Sequence, residues 1–148
     1  MEQPGEQKGL QSLIVWQKSM SFAVKICKTI LPILPEQEKW SLTDQLRRSS
    51  QSIPANIAEG YGRFYFQEGI RYAYISRGSL EETLSHLSFA KEMGYLSSTD
   101  LESLSSDISE IRRMISGYIN YLKNSKRGIN EPGSQYMTFS GEIENDLN

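Results

Sequence analysis

The sequence predicts an all-α protein, an antiparallel up-down-up-down four-helix bundle whose second helix is kinked at Pro54. Three observations predict it. Apolar residues recur at alternating spacings of three and four in four separate segments, no segment alternates apolar and polar residues as a half-buried strand does, and the connections are short and marked by Pro, Gly and Ser. Four such helices bury their stripes by packing about 20° from parallel, each short connection reversing the chain.

In the first segment Trp16, Met20, Ala23, Cys27 and Ile30 form the stripe, widened by Val15, Phe22 and Ile26, and Pro32 and Pro35 end it. In the second, Ser41 suits an N-cap, and Leu42, Leu46, Ser49, Ile53 and Ile57 continue the stripe to Gly60. Pro54 lies inside this segment, where it removes one hydrogen bond and crowds the carbonyl four residues earlier, so a kink is expected. The third runs from about Tyr65 to Met93 on Phe66, Ile70, Ala73, Arg77, Leu80, Leu84 and Leu87, with Gly94 placed as its C′ residue. The fourth starts at Ser97 or Ser98, where Ser97-x-x-Asp100 resembles a capping box with Asp in place of Glu. Its stripe of Leu101, Leu104, Ile108, Ile111, Ile115, Tyr118 and Leu122 has no miss, which makes it the cleanest signal in the chain.

Length and charge narrow the function. The 148 residues suit one domain, and 38% hydrophobic residues suffice for a core. Sixteen Lys+Arg against eighteen Asp+Glu exclude a uniformly basic nucleic-acid binder and leave room only for a local basic patch. The organisation expected is a disordered N-terminus over 1–11, the bundle over 12–123 and a disordered acidic tail over 124–148. The tail carries two basic and four acidic residues, so its net charge is −2 and that of 1–123 is zero. Within the tail, Tyr136–Phe139 is a candidate linear motif. No apolar run reaches the roughly 18 residues of a membrane span, the N-terminus lacks a signal-peptide core, and the lone cysteine agrees with a cytoplasmic protein.

Catalysis and cofactors find little support. A di-iron bundle needs Glu-x-x-His motifs from two helices, and the single histidine, His86, has Thr83 three residues before it. One Cys and one His build no zinc cage. Helical ribonucleases with an Arg and a His about five residues apart on one helix are a runner-up class, but Arg77 precedes His86 by nine. Cys27 reads as a small core residue, and Gly60-Tyr61-Gly62 as a helix terminator rather than a phosphate loop. No catalytic residue, metal or cofactor is expected.

Surfaces carry the remaining information. Gln45, Arg48, Ser52, Ala55 and Glu59 form a second stripe opposite the core side of the second segment, either a solvated face or a helix–helix contact between subunits. Between residues 44 and 77 lie five arginines, including Arg47, Arg48, Arg63 and Arg71, against Asp44, Glu59 and Glu68. Tyr61, Tyr65, Tyr72 and Tyr74 interleave with them. Such a set can contact phosphates and stack on unpaired bases, and a salt-bridged surface explains it equally well.

Four strings together resemble the bacterial four-helix-bundle family of proteins encoded in intervening sequences of 23S ribosomal RNA genes. They are Leu13–Met20 (LIVWQKSM), Leu46–Arg63 (LRRSSQSIPANIAEGYGR), Ile75–Leu84 (ISRGSLEETL) and Ala90–Leu96 (AKEMGYL), and the resemblance spans roughly residues 10–123. It implies a small cytoplasmic protein assembled as a ring, a homopentamer, which favours the interface reading of the second stripe. A more distant cousin, the accessory protein of diversity-generating retroelements, implies RNA or a reverse-transcriptase-like protein as partner. The resulting expectation is a non-enzymatic ring that binds RNA or a nucleoprotein, the alternative being a scaffold for another protein with no nucleic-acid role. Repetition around a ring would multiply a weak basic patch.

One residue breaks the pattern. Arg77 occupies the apolar stripe of the third segment, where an unpaired charge is costly. Hairpin pairing about residue 63 sets it level with Ser49 and Ser50, and Pro54 deprives the Ser50 carbonyl of its helical donor. Arg77, Ser49 and Ser50 are therefore expected to form a polar core in which the guanidinium bonds that carbonyl or its neighbours.

Overall fold

A computed structural model describes residues 9–63 and 65–124. The first helix, α1, is Ile14–Lys25, prolonged by a π-helical turn over Ile26–Ile30. Short 3-10 turns follow at Leu31–Ile33 and Glu36–Glu38, and a further one, Leu10–Ser12, precedes α1. Helices α2 (Leu42–Tyr61), α3 (Phe66–Glu92) and α4 (Ser98–Lys123) complete a four-helix bundle, and no strand occurs among the described residues. The expected terminal extensions fall mostly on 1–8 and 125–148, outside the described residues. Of the remainder, Leu10 and Gln11 belong to the 3-10 turn and Asn124 caps α4.

Helix α2 packs on α1 and α3, and α4 on α3 and α1. Partner numbers fall along one helix as they rise along the other. Thr83 Oγ1 donates to Ser49 Oγ at 2.9 Å, Ser52 and Ser79 bond through their hydroxyls, and Ser76 Oγ donates to the Ile53 carbonyl at 2.7 Å. Helices α2 and α3 thus run in opposite directions with a seam of small hydroxyl residues between them. Each hydroxyl occupies little volume and finds a partner, which is the condition for burying it without loss. The apolar centre lies beside this seam, where Ile26, Leu46, Ile53, Leu80, Leu87, Ile108 and Ile115 are fully buried.

The helices approach closely at two glycines. A Cβ on Gly60 would lie 2.9 Å from Tyr72 Cβ and 3.1 Å from Gly69 Cα, so α2 and α3 meet there backbone to backbone. A Cβ on Gly69 would in turn meet Leu122 of α4 at 3.2 Å. Gly60 is thus a contact residue one position before the last residue of α2, Tyr61, and Gly62 occupies the C-cap.

Helix α1 is rotated by about one residue from the expected stripe. Val15, Ser19, Phe22, Ala23, Ile26 and Ile30 are buried, whereas Trp16 and Cys27 are half-buried and Met20 is 38% exposed. Both columns have helical spacing, and Ser19 hides the inner one because its hydroxyl is satisfied by the Val15 carbonyl at 2.7 Å. Helix α2 stays one element through Pro54, which is buried. In α4 the column Leu104, Ile108, Ile111 and Ile115 is buried as the sequence indicates, joined by Ile119.

The helix ends differ in how well they were foretold. Gly94 has φ of +78°, with Gly94 N–H bonding the Lys91 carbonyl at 3.0 Å and Tyr95 N–H the Ala90 carbonyl at 2.9 Å, the paired bonds of a Schellman C-cap. Ser97 Oγ accepts from Asp100 N–H at 3.1 Å. Ser41 occupies the N-cap of α2 but makes no side-chain cap bond. Glu38 from the preceding turn replaces it, its carboxylate accepting from Ser41 Oγ at 2.7 Å and Leu42 N–H at 3.3 Å.

The Ser41 hydroxyl holds the Glu38 carboxyl below the ordinary glutamate value against the opposing effect of burial, with smaller help from Leu42 N–H and the Tyr95 hydroxyl. A carboxyl lowered in the folded state contributes stability above its unfolded value and loses it as pH falls through the folded one. Glu38→Gln is therefore expected to flatten the acid limb of the thermal-midpoint-versus-pH curve and leave the curve above neutrality parallel to wild type.

Candidate interaction surfaces

Between α1 and α2 runs an open groove of about 650 Å³. Helix α1 contributes Trp16, Met20, Val24 and Cys27, and α2 contributes Pro54, Ala55 and Ala58. Its character follows from the rotation of α1. Trp16, Met20 and Cys27, expected in the core, line the groove instead, while Ala23 and Ile30 of the same stripe are buried as expected, and the small side chains of α2 leave the space unfilled. Met20 and Val24 are 38% and 41% exposed. Two cations, Lys28 and Arg47, stand on its lining, neither in an ion pair among the described residues, and no carboxylate lines it. A smaller cleft between α1 and α4 is lined by the pairs Lys18–Glu110 at 3.5 Å and Lys25–Asp107 at 2.7 Å.

The second α2 stripe lies largely outward. Gln45, Arg48, Ala55 and Glu59 are exposed, and Ala55 joins the stripe to the groove. Ser52 differs, because it is half-buried against Ser79 and its carbonyl accepts the Asn56 amide at 2.8 Å, so it belongs to the α2–α3 seam. Arg48 bonds Asp44 at 3.0 Å and Glu59 bonds Arg63 at 2.8 Å, each one turn away.

The basic residues do not gather into one patch. Arg63 and Arg71 both lie 5.5 Å from the centroid of the Tyr72 ring, but both also have carboxylate partners, Glu59 at 2.8 Å and Glu68 at 3.9 Å. The hydrogen bond to Glu59 raises the Arg63 pKa further above its ordinary value. Arg47 and Arg48 lie more than three turns earlier on α2, about 20 Å along its axis. On the other flank of α3, Arg77 and Lys123 approach the Tyr74 ring at 4.8 and 6.0 Å.

That placement corrects the expected polar core. Arg77 is half-exposed over Tyr74 and makes no hydrogen bond to an α2 carbonyl. Ser76, one position earlier and about 100° round the helix, faces α2 and bonds the Ile53 carbonyl, which turns Arg77 towards α4. Ser49 and Ser50 are buried as expected, but Ser49 pairs with Thr83, and Ser50 Oγ donates to the Arg47 carbonyl at 3.2 Å. A small hydroxyl at 76, 79 or 83 carries no pattern that separates it from a solvated serine, so the seam had no sequence signal beyond Ser49 itself.

His86 is half-buried with Glu82 3.4 Å away. Among the described residues no group of three His, Cys, Asp or Glu side chains is placed to hold a metal ion, and no helix is long and apolar enough to cross a membrane.

The 23S rRNA-intervening sequence protein family matches residues 11–117. Among solved structures, the chain is similar to a protein of unknown function from the S23 ribosomal protein family of Bacteroides thetaiotaomicron. Identity is 28% and the TM-score 0.67, over 72% of this chain and 96% of that one. No curated protein matches.

Proposed function

Since the chain belongs to the 23S rRNA-intervening sequence protein family, we propose that it is a non-catalytic cytoplasmic assembly protein whose copies join into a homopentameric ring through the α1–α2 groove. The observation that carries this reading is the groove itself, an apolar channel opened by Ala55, Ala58 and Pro54 on one wall and Met20 and Val24 on the other. A concave, mostly apolar groove with a few polar groups on its lining is a natural binding surface, and small residues let a partner come close. The occupant is a second copy. Ile75, Glu82 and Phe89 stand seven residues apart on the exposed side of α3, giving two apolar projections, 42% and 51% exposed, around a carboxylate. That ridge complements a groove holding Lys28 and Arg47, and joining two different faces is a heterologous contact that closes into a ring.

Native mass spectrometry at micromolar concentration tests the reading. The expected mass is five times 16.9 kDa, reduced to the monomer by Val24→Glu combined with Ala55→Glu. A wild-type monomer under those conditions overturns it.

A second reading, RNA or nucleoprotein binding by the ring, is favoured by the convergence of Arg63 and Arg71 on Tyr72. Their carboxylate partners weaken each site, so the reading depends on repetition round the ring. Arg63→Glu with Arg71→Glu is expected to abolish binding of single-stranded RNA and its salt dependence in a filter assay. Wild-type protein that retains no RNA at about 50 mM salt, where phosphate contacts are strong, leaves the scaffold reading alone.

A further inference from the structure

We propose that the segment Tyr136–Asp146 of the same chain docks in the α1–α2 groove and regulates assembly by competing with the incoming copy. The proposal rests on the groove being the assembly face.

Three observations carry it. The first is charge. Residues 128–148 contain four carboxylates and no lysine or arginine, and the groove contains Lys28 and Arg47 and no carboxylate. Neither cation has an ion-pair partner among the described residues, in contrast to Arg48, Arg63, Arg71 and Arg112. Acidic side chains therefore have unneutralised counter-charges waiting at this groove. The second is pattern. Tyr136, Met137 and Phe139 precede Glu142, Glu144 and Asp146. An apolar anchor followed by acids matches an apolar channel with cations on its lining.

The third is reach. Leu122 touches Gly69, Gly69 meets Gly60, and Gly60 is two residues from Ala58 in the groove wall. The last turn of α4 and the Trp16–Ala58 part of the groove thus occupy the same end of the bundle. Crossing two helices requires about 20 Å at 8–10 Å between axes. The twelve residues from Asn124 to Tyr136 span about 40 Å when extended. A tether of this kind supplies an effective concentration of order 1 mM, so an intrinsic affinity as weak as about 0.1 mM keeps the groove filled about nine-tenths of the time. The family match stops at residue 117, so this device belongs to what the chain carries beyond the shared bundle.

Cys27, the one cysteine, lines the groove and reports its cover. The experiment measures the alkylation rate of Cys27 by iodoacetamide in the full chain, at nanomolar concentration and again at micromolar concentration. Wild type is compared with Tyr136→Ser/Phe139→Ser and with Glu142→Lys/Glu144→Lys. The expected result at nanomolar concentration is alkylation about tenfold slower in wild type than in the serine variant. The charge-reversed variant should fall between them, and the slowing in wild type should not depend on dilution. Equal rates in all three proteins, or a wild-type rate that rises to the variants' value on dilution, overturn the proposal. Native masses of the same samples separate the two readings. Monomers throughout with a slow wild-type rate refute the assembly face and retain the docked segment, whereas rings with equal rates refute the segment alone.

Discussion

Leu80→Ala is expected to lower the unfolding free energy by about 2–5 kcal/mol, the range for truncating a large core side chain that cannot be replaced by collapse of its neighbours. Leu80 is fully buried on the face of α3 that meets the apolar centre, beside Ser76, Ser79 and Thr83, whose hydroxyls fix α3 against α2. Those bonds resist the shift that would close the cavity. Arg77→Leu, one turn away on the same expected stripe, is the control. It removes a guanidinium from the Tyr74 ring, a contact of about 0.5–1 kcal/mol at an exposed site, and adds apolar area at a half-exposed position. The net change is expected to stay within about 0.5 kcal/mol. Urea unfolding followed by far-ultraviolet circular dichroism measures both. A cost above about 1 kcal/mol for Arg77→Leu would show a buried, bonded arginine instead.

Gly60→Ala is expected to destabilise by about 1–3 kcal/mol, the cost of forcing atoms into a filled contact. The added methyl would sit 2.9 Å from Tyr72 Cβ and 3.1 Å from Gly69 Cα. Neither neighbour is the far end of a flexible chain, so relief requires α2 and α3 to separate. Alanine normally improves a helix over glycine by about 0.5–1 kcal/mol, and the clash must exceed that gain for the sign to hold. Gly78→Ala isolates the two effects. A Cβ there meets nothing within 4 Å, so the helix gain stands alone and the variant is expected to be more stable by about that amount. The same urea titration reads both. Stabilisation by Gly60→Ala would refute the close crossing.

The legible part of this chain was its helices and several of their ends. The unbroken column from Leu101 to Leu122 marked α4, and Gly94 and Ser97 marked the turn before it, because a Schellman cap and an N-cap are made by residues a few positions apart. Ser41 misled for an equally local reason. It stands at the right position with the right chemistry, but Glu38 offers a charged acceptor to Leu42 N–H and recruits the serine hydroxyl as donor. The π-helical turn at Ile26–Ile30 had no sequence signature apart from Pro32, which supplies no N–H to the chain behind it.

Among the candidate surfaces, Ala55 of the second α2 stripe lies at the groove, whereas Trp16, Met20 and Cys27 of the other wall carry the helical spacing of a core stripe. The four arginines were legible as residues and not as a patch. Arg63 and Arg71 are eight apart across a turn and meet on Tyr72, whereas Arg47 and Arg48 are separated from them by most of a helix.

Local pattern is enough to make this protein four helices, to say where each runs and to require that they share one apolar centre, since periodicity and caps are set by neighbours within a turn or two. The rotation of each helix about its own axis depends instead on contacts between helices. The apolar sector of α1 is wide enough to be centred on Phe22 or on Met20, and neighbouring side chains choose between them. In α1, that choice put Trp16, Met20 and Cys27 into a groove. In α3, it turned Ser76 inward and Arg77 outward, because a hydroxyl reaching the Ile53 carbonyl fits between close helices where a guanidinium does not.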